Sequence, residues 1–429
     1  MKFNPFQPNQ IVNPGMFTGR LNEVLQIERY LFQAKCGNPQ HFLIEGERGI
    51  GKSSLLFYVS AYAAGRINPG DIPQMGFVVL SVDLGNVSTQ LDIVRAIARA
   101  LKSEMGRLSK IKEGAKKFWD FLTNWEVLGV RYHKDSSQLD PDDARDTLID
   151  QIIDLCADGS CEIDGIFIVI DEADTPSVEA GLGEFVKTFT ERLTKSGCNR
   201  VVLGLAGLPA LLGKLRQSHE SSPRIFHVLS MAPLELDERK EVLKKGLIEA
   251  EAKNGFNVGI TEGALSLLAE LSEGYPHFVQ QFAYSAFETD SDNMIDSNDV
   301  VRGAYEENGA ISQLGSKYFN EMYYGRISSD EYRKVLDTMA EHGDEWVARK
   351  HLIDESSIQQ STMANALNAL KGRNIILSDS SRQGYYRLPT KSFAAWINAV
   401  KSVELRKESE ALPLLERKAG GPGDPTATD

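Results

Sequence analysis

Five short, apolar, β-branched-rich runs recur along the first half of the chain: His41–Glu45, Phe77–Asp83, Gly165–Ile170, Arg200–Leu205 and Val228–Met231. Continuous apolar runs of this length, without polar alternation, indicate strands buried on both faces, as in a parallel sheet. Between them the apolar positions return every three or four residues, which predicts helices over Lys52–Ala64, Gln90–Met105 and Glu179–Ser196. Strand and helix in alternation give an α/β three-layer sandwich around a five-stranded parallel sheet. Only Arg107–Asp142 breaks the rhythm, with Phe118, Trp119, Phe121, Leu122 and Trp125, then Val127–Tyr132, then a polar loop. It reads as an insertion holding a helix and a hairpin.

From Glu235 onward the pattern is helical: Asp237–Asn254 with Asp237 as N-cap, Thr261–Glu273, and Pro276–Phe287. Asn298–Tyr305 and an aromatic segment around Tyr318–Tyr324 follow. The order then changes to helix Asp330–His342, a short helix near Ala348–Glu355, helix Ser361–Gly372, strand Ile375–Asp379, turn Ser380–Gly384 and strand Tyr385–Leu388. That is the order of a winged helix-turn-helix. The expected domains are an α/β core over 1–234 with its insertion at about 107–142, a small helical lid over 235–310, and a winged helix over 311–400. The tail, 401–429, ends in a Gly- and Pro-rich stretch that buries too little to order itself.

Composition narrows the function classes. A chain of 429 residues, 42% of them hydrophobic, can build more than one core. The opening Met1–Gln10 is polar, and no long apolar stretch runs free of charge, so neither a signal peptide nor a membrane span is expected. Cys36, Cys156, Cys161 and Cys198 show no C-x-x-C spacing, which suits reduced thiols and a cytoplasmic protein. A net charge of −13 argues against coating nucleic acid by bulk electrostatics, so any DNA contact has to come from a local patch.

The strongest chemical signal is Gly46-Glu47-Arg48-Gly49-Ile50-Gly51-Lys52-Ser53, which fits G-x-x-x-x-G-K-[ST] between a strand and a helix. Backbone N–H groups can wrap a phosphate only where side chains do not intrude, which the three glycines permit. Lys52 is then placed for the β- and γ-phosphates of ATP and the Ser53 hydroxyl for Mg²⁺, with the cradle running on to Ser54 at the helix N-terminus. The second signal is the strand Ile166–Ile170 ending in Asp171-Glu172. Expected to emerge beside the P-loop, it puts Asp171 near the Ser53-bound Mg²⁺ and Glu172 where it orients and deprotonates the attacking water.

Two further segments join these: Phe17-Thr18-Gly19-Arg20-x-x-Glu23 before the first strand and Gly274-Tyr275-Pro276 in the lid. Together the four resemble the STAND and origin-initiator-like branch of AAA+ ATPases, members of which end in a winged helix. That resemblance covers about residues 11–397, mostly as an order of elements. It implies that Phe17–Arg20 flank the adenine, that Pro276 sets the lid against the nucleotide, and that Arg224 reaches a phosphate. The chain departs from the pattern in two places. The fourth strand ends in the polar-free Leu203-Gly204-Leu205-Ala206-Gly207 where such enzymes carry a polar sensor, and His277 stands where an arginine is often found.

The expected function is an ATP-binding and ATP-hydrolysing switch, slow in turnover, that couples its nucleotide state to the winged helix and assembles as a homo-oligomer with ATP. The partner of the winged helix is DNA or a protein: Asn365 and Asn368 could read base edges, with Lys371, Arg373, Arg382 and Arg387 for phosphates. The rival reading is a nucleotide-gated protein-interaction module with little or no turnover, favoured by the polar-free Gly204–Gly207.

Overall fold

The computed structural model describes residues 2–68, 74–85, 87–109, 140–157, 163–379 and 382–401. The expected insertion, apart from its two ends, and the tail beyond residue 401 lie outside the described residues. The chain divides into two compact units: Asn9–Lys245 with Tyr275–His277, and Met1–Pro8 with Gly246–Gly274 and Phe278–Asp429.

The first unit is built on strands β1 (His41–Glu45), β2 (Phe77–Val82), β3 (Gly165–Ile170), β4 (Val201–Gly207) and β5 (Phe226–Ser230). They pair in the order β2-β3-β4-β1-β5, all parallel. All six residues of β3 and all seven of β4 are buried, as continuous apolar runs require. The period of two sorts them into two cores. Phe42, Ile44, Phe167 and Val202 face one, with helices α1 (Leu21–Lys35) and α2 (Lys52–Ala63). Leu43, Leu80, Ile168 and Leu203 face the other, with the helices at 90–109, 141–157 and 182–195. Each large side chain fully buried this way stabilises the fold by about 1.5–3 kcal/mol.

β3 does not pair with β1 directly. β4 lies between them, with Phe42 opposite Gly204 and Glu45 opposite Gly207. Gly204 is a packing requirement: a Cβ there would stand 2.6 Å from Phe42 Cζ and 2.9 Å from Phe167 Cε2. Because all five strands run one way, the C-terminal ends of β1, β3 and β4 share one edge. The N-terminal end of β5 lies at the other.

The second unit holds helices Glu262–Leu271 and Ser297–Tyr305, the first capped by the Thr261 hydroxyl and the second by a capping box between Asp296 and Asp299. The aromatic segment forms two π-helical turns, Gly315–Phe319 and Glu321–Gly325. Gly315 is obligatory there, since a Cβ would meet the Trp396 indole at 1.9 Å. Next come helix Asp330–Glu341, strand Val347–Ala348, helices Arg349–Ser356 and Gln360–Gly372, and strands Leu377–Ser378 and Tyr385–Arg387. The last strand pairs antiparallel with both others, completing a winged helix. A closing helix over 391–401, not foreseen from sequence, is capped by the Glu273 carboxylate, which accepts from the Lys391 and Ser392 amides at 2.7 Å each. Glu273 lies just past the end of helix Glu262–Leu271, so this cap fastens the helical and winged parts together within the unit.

Candidate nucleotide site

At the end of β1 the chain turns through Gly46–Gly51 into α2. Gly49 and Gly51 take φ of 78° and 98°, a region that side chains resist. Gly46 is held by space instead: a Cβ there would lie 2.8 Å from Ile50 Cγ2. The loop is therefore bare of side chains where it bends, and its amides lead straight into the N-terminus of α2, an anion-binding arrangement. Glu47 and Arg48 point to solvent, Ile50 is buried, and Ser53 and Ser54 are half-buried.

Lys52 Nζ donates to the carbonyl oxygens of Gly46 and Glu47 at 2.7 and 2.9 Å, so the ammonium arches over its own loop. Burial pushes its pKa below the usual lysine range, while Asp171, Asp174 and Glu47 pull it back up. Two of these acids, Asp171 and Asp174, come from the turn after β3. Asp171 accepts from the Glu172 amide at 2.9 Å. Glu172 itself is exposed, with φ of 49°. A left-handed backbone at a non-glycine residue costs on the order of 1–3 kcal/mol and is the kind of strain found at functional positions. The turn is pinned by the Ala173 amide, which donates to Ala206 of β4 at 2.8 Å.

Asp174 was missed by sequence reasoning. Its Oδ1 accepts from the Leu208 amide at 3.0 Å, and it would lie 2.6 Å from a Cβ on Gly207. The polar-free end of β4 is thus occupied by a carboxylate from the neighbouring strand's turn, and Gly207 makes the room. The available signal was the third acid in Asp171-Glu172-Ala173-Asp174 beside a glycine-ended strand.

The other expected residues fall into three groups. Pro276 and His277 are brought to the loop: Pro276 Cγ is 3.4 Å from where a Gly51 Cβ would be, and the His277 amide donates to Gly49 at 3.2 Å. Phe17 and Arg20 are close but engaged. Phe17 stacks on Tyr58 with centroids 4.8 Å apart, and its carbonyl accepts from Lys245 at 2.9 Å. Arg20, only 6% exposed, donates from Nη2 to the Ile50 carbonyl at 3.1 Å, and its amide donates to Glu238 at 3.1 Å. Its guanidinium braces the P-loop from behind. Arg224, exposed at the N-terminal end of β5, stands at the opposite edge of the sheet and is not brought to the loop. Ser53 at the start of α2 and the Asp171 and Asp174 carboxylates, close enough to Lys52 to raise its pKa, offer oxygen donors only, a set that fits Mg²⁺. Among the described residues no helix is long and apolar enough to cross a membrane.

No protein-family model matches the chain. A protein of Methanocaldococcus jannaschii named as an uncharacterized HTH-type transcriptional regulator is 26% identical over 287 residues, which is 64% of this chain and 64% of that protein. The match thus spans less than two thirds of the relative's length. Among solved structures, the Walker-type ATPase of Pyrococcus abyssi aligns with a TM-score of 0.54 at 17% identity, over 89% of this chain and 96% of that one. The Aeropyrum pernix ORC2 protein, solved as ADPNP-ADP complexes, aligns with a TM-score of 0.57 at 14% identity, over 94% and 98%. The chain therefore has the fold of the origin-initiator-like AAA+ P-loop ATPases that end in a winged helix.

Proposed function

We propose that the protein is an Mg²⁺-dependent ATP-binding and ATP-hydrolysing switch of the cytoplasm, which passes its nucleotide state to the winged helix. The observation that carries this reading lies at the start of helix Pro276–Thr289. Its first turn is fastened to the P-loop through Pro276 and the His277 amide, while from Phe278 on it belongs to the other unit. A change at Gly49–Gly51 is therefore a change at the root of a helix that continues into the second unit.

In this reading the backbone of Gly46–Ser54 holds the phosphates, and Lys52 leaves the Gly46 and Glu47 carbonyls to meet the β- and γ-phosphates. Ser53 and Asp171 hold Mg²⁺, with Asp174 as the added acid. When bound, the ion neutralises charge on the phosphate oxygens. Glu172 orients the attacking water and takes its proton. The adenine goes to the Phe17 side, with Arg20 holding the loop's shape. Glu172→Gln is expected to bind ATP as wild type does and to lose turnover by about 100-fold or more, read as phosphate release at saturating ATP. Turnover within about twofold of wild type would remove Glu172 from the reaction.

For the partner, the exposed face of helix Gln360–Gly372 presents Ser361, Asn365, Asn368 and Lys371 in one stripe, which supports reading of DNA base edges. A second reading, a protein partner, has its own support in the wing. Arg382 pairs with Asp379 at 2.7 Å and lies over Tyr385, and Arg387 lies over Trp346 with Asp344 at 3.8 Å. Cations already engaged this way offer less to a phosphate backbone.

A further inference from the structure

The winged helix carries a group of metal-binding side chains with no part in the nucleotide chemistry. His342 caps the C-terminus of helix Asp330–Glu341, and Gly343 with φ of 65° turns the chain away after it. His351 and Glu355 stand four residues apart on helix Arg349–Ser356, so they share a face. The buried side chains Leu336, Met339 and Leu352 lie on these same two helices. Glu355 places one carboxylate oxygen 2.7 Å from His342 Nε2 and the other 3.1 Å from His351 Nε2. The ligand atoms of the three residues all lie within 4.8 Å of one another.

Surface ion pairs of histidine and glutamate are common and contribute little. Two imidazoles from different helices converging on the two oxygens of one carboxylate are a chelate geometry. In a four-coordinate site with bonds of about 2.0–2.1 Å, neighbouring donor atoms stand roughly 3.3 Å apart. The contacts to His342 and His351, at 2.7 and 3.1 Å, need to open by about 0.6 and about 0.2 Å to admit an ion. Two imidazole nitrogens exclude a preference for Mg²⁺ or Ca²⁺, whose shells are oxygen, and select a borderline metal. With side-chain exposures of 60% for His351 and 34% for Glu355, the site opens directly to solvent. We propose that His342, His351 and Glu355 bind one borderline divalent ion, Zn²⁺ foremost, with the fourth position left to water. The bound ion ties helix Asp330–Glu341 to helix Arg349–Ser356, the pair that precedes helix Gln360–Gly372 and its exposed asparagines.

The test is calorimetric titration of Zn²⁺ into the full-length chain, free of tag and nucleotide and stripped of metal by a chelator. Wild type is expected to take up one ion per chain at this site and to melt at a higher temperature with it. His351→Ala and Glu355→Gln, both substitutions at solvent-facing positions, are each expected to weaken that binding by about 100-fold or more and to lose the thermal shift. Co²⁺ in place of Zn²⁺ should give visible absorption bands of a four-coordinate ion in wild type only. Zinc held by thiols such as Cys36, or by the Asp171 carboxylate, would leave both variants at wild-type affinity, and that result overturns the site. So does the absence of saturable binding to wild type in the micromolar range.

Discussion

Arg20 ties a residue far back in the chain to the shape of the P-loop. Its guanidinium reaches the Ile50 carbonyl, Glu23 lies 3.6 Å away, and burial holds its pKa below the usual arginine value despite Glu23 and Glu238. Arg20→Ala removes the Ile50 partner and leaves Glu238 without its compensating charge. The expected cost is about 1–3 kcal/mol of stability, measured by urea unfolding, together with weaker ATP binding. Stability and affinity both at wild-type level would show that the brace does nothing. Gly204→Ala tests the sheet in the same experiment. The added methyl forces Phe42 or Phe167 aside, which should cost about 1–3 kcal/mol, whereas an unchanged midpoint would mean that the two rings have room to move. At this scale the sequence shows the candidate phosphate loop and acids and hides their supports. Gly46–Ser53 and Asp171-Glu172 are legible as candidates because a phosphate site demands those residue types at those spacings. Arg20 on Ile50, and Asp174 in the space left by Gly207, depend on three-dimensional approach, which no spacing encodes.

The elements themselves follow the hydrophobic pattern closely, because the runs buried on both faces leave little choice of strand limits. Their order does not. A strand apolar on both faces fits beside any other, so the pattern could not say that β4 separates β1 from β3. The helices over 141–157, 211–218 and 391–401 were also not foreseen, and the two-residue strands at 259–260 and 294–295 are too short to leave a periodicity. In the wing, the contacts sort the basic residues that sequence could only group together. Arg382 and Arg387 have acidic neighbours, and Arg373 donates to the Arg326 carbonyl at 2.6 Å, which leaves Lys371 as the exposed cation on the recognition-helix face. If this element meets DNA, Lys371→Gln should weaken binding for all sequences and lower the slope of log affinity against log salt by about 1. Asn365→Ala should instead relax the choice of sequence. No DNA binding by the ATP-bound wild type at low salt would leave the protein-partner reading in place.

At the scale of the whole molecule, the parallel sheet sets the strongest constraint. Arg224 precedes β5 and so lies a strand length, roughly 17 Å, from the edge where the P-loop sits. Within one chain it has no route to the nucleotide, so a catalytic role requires a second copy that offers its Arg224 to a neighbour's γ-phosphate. ATP should then promote assembly, and Arg224→Ala should bind ATP normally but hydrolyse it slowly. Mixing Arg224→Ala with Lys52→Ala should restore part of the activity, since each variant keeps the half-site that the other lacks. A strictly monomeric ATP-bound protein would leave Arg224 an ordinary surface residue. All of this rests on one claim, that Gly46–Ser53 binds ATP through Lys52. The most direct measurement is the equilibrium affinity for MgATP of wild type against Lys52→Ala, with folding of both confirmed by circular dichroism. Loss of a charge-assisted contact to phosphate predicts weakening by roughly 10- to 100-fold or more; equal affinity in the two proteins would contradict the site and the switch built on it.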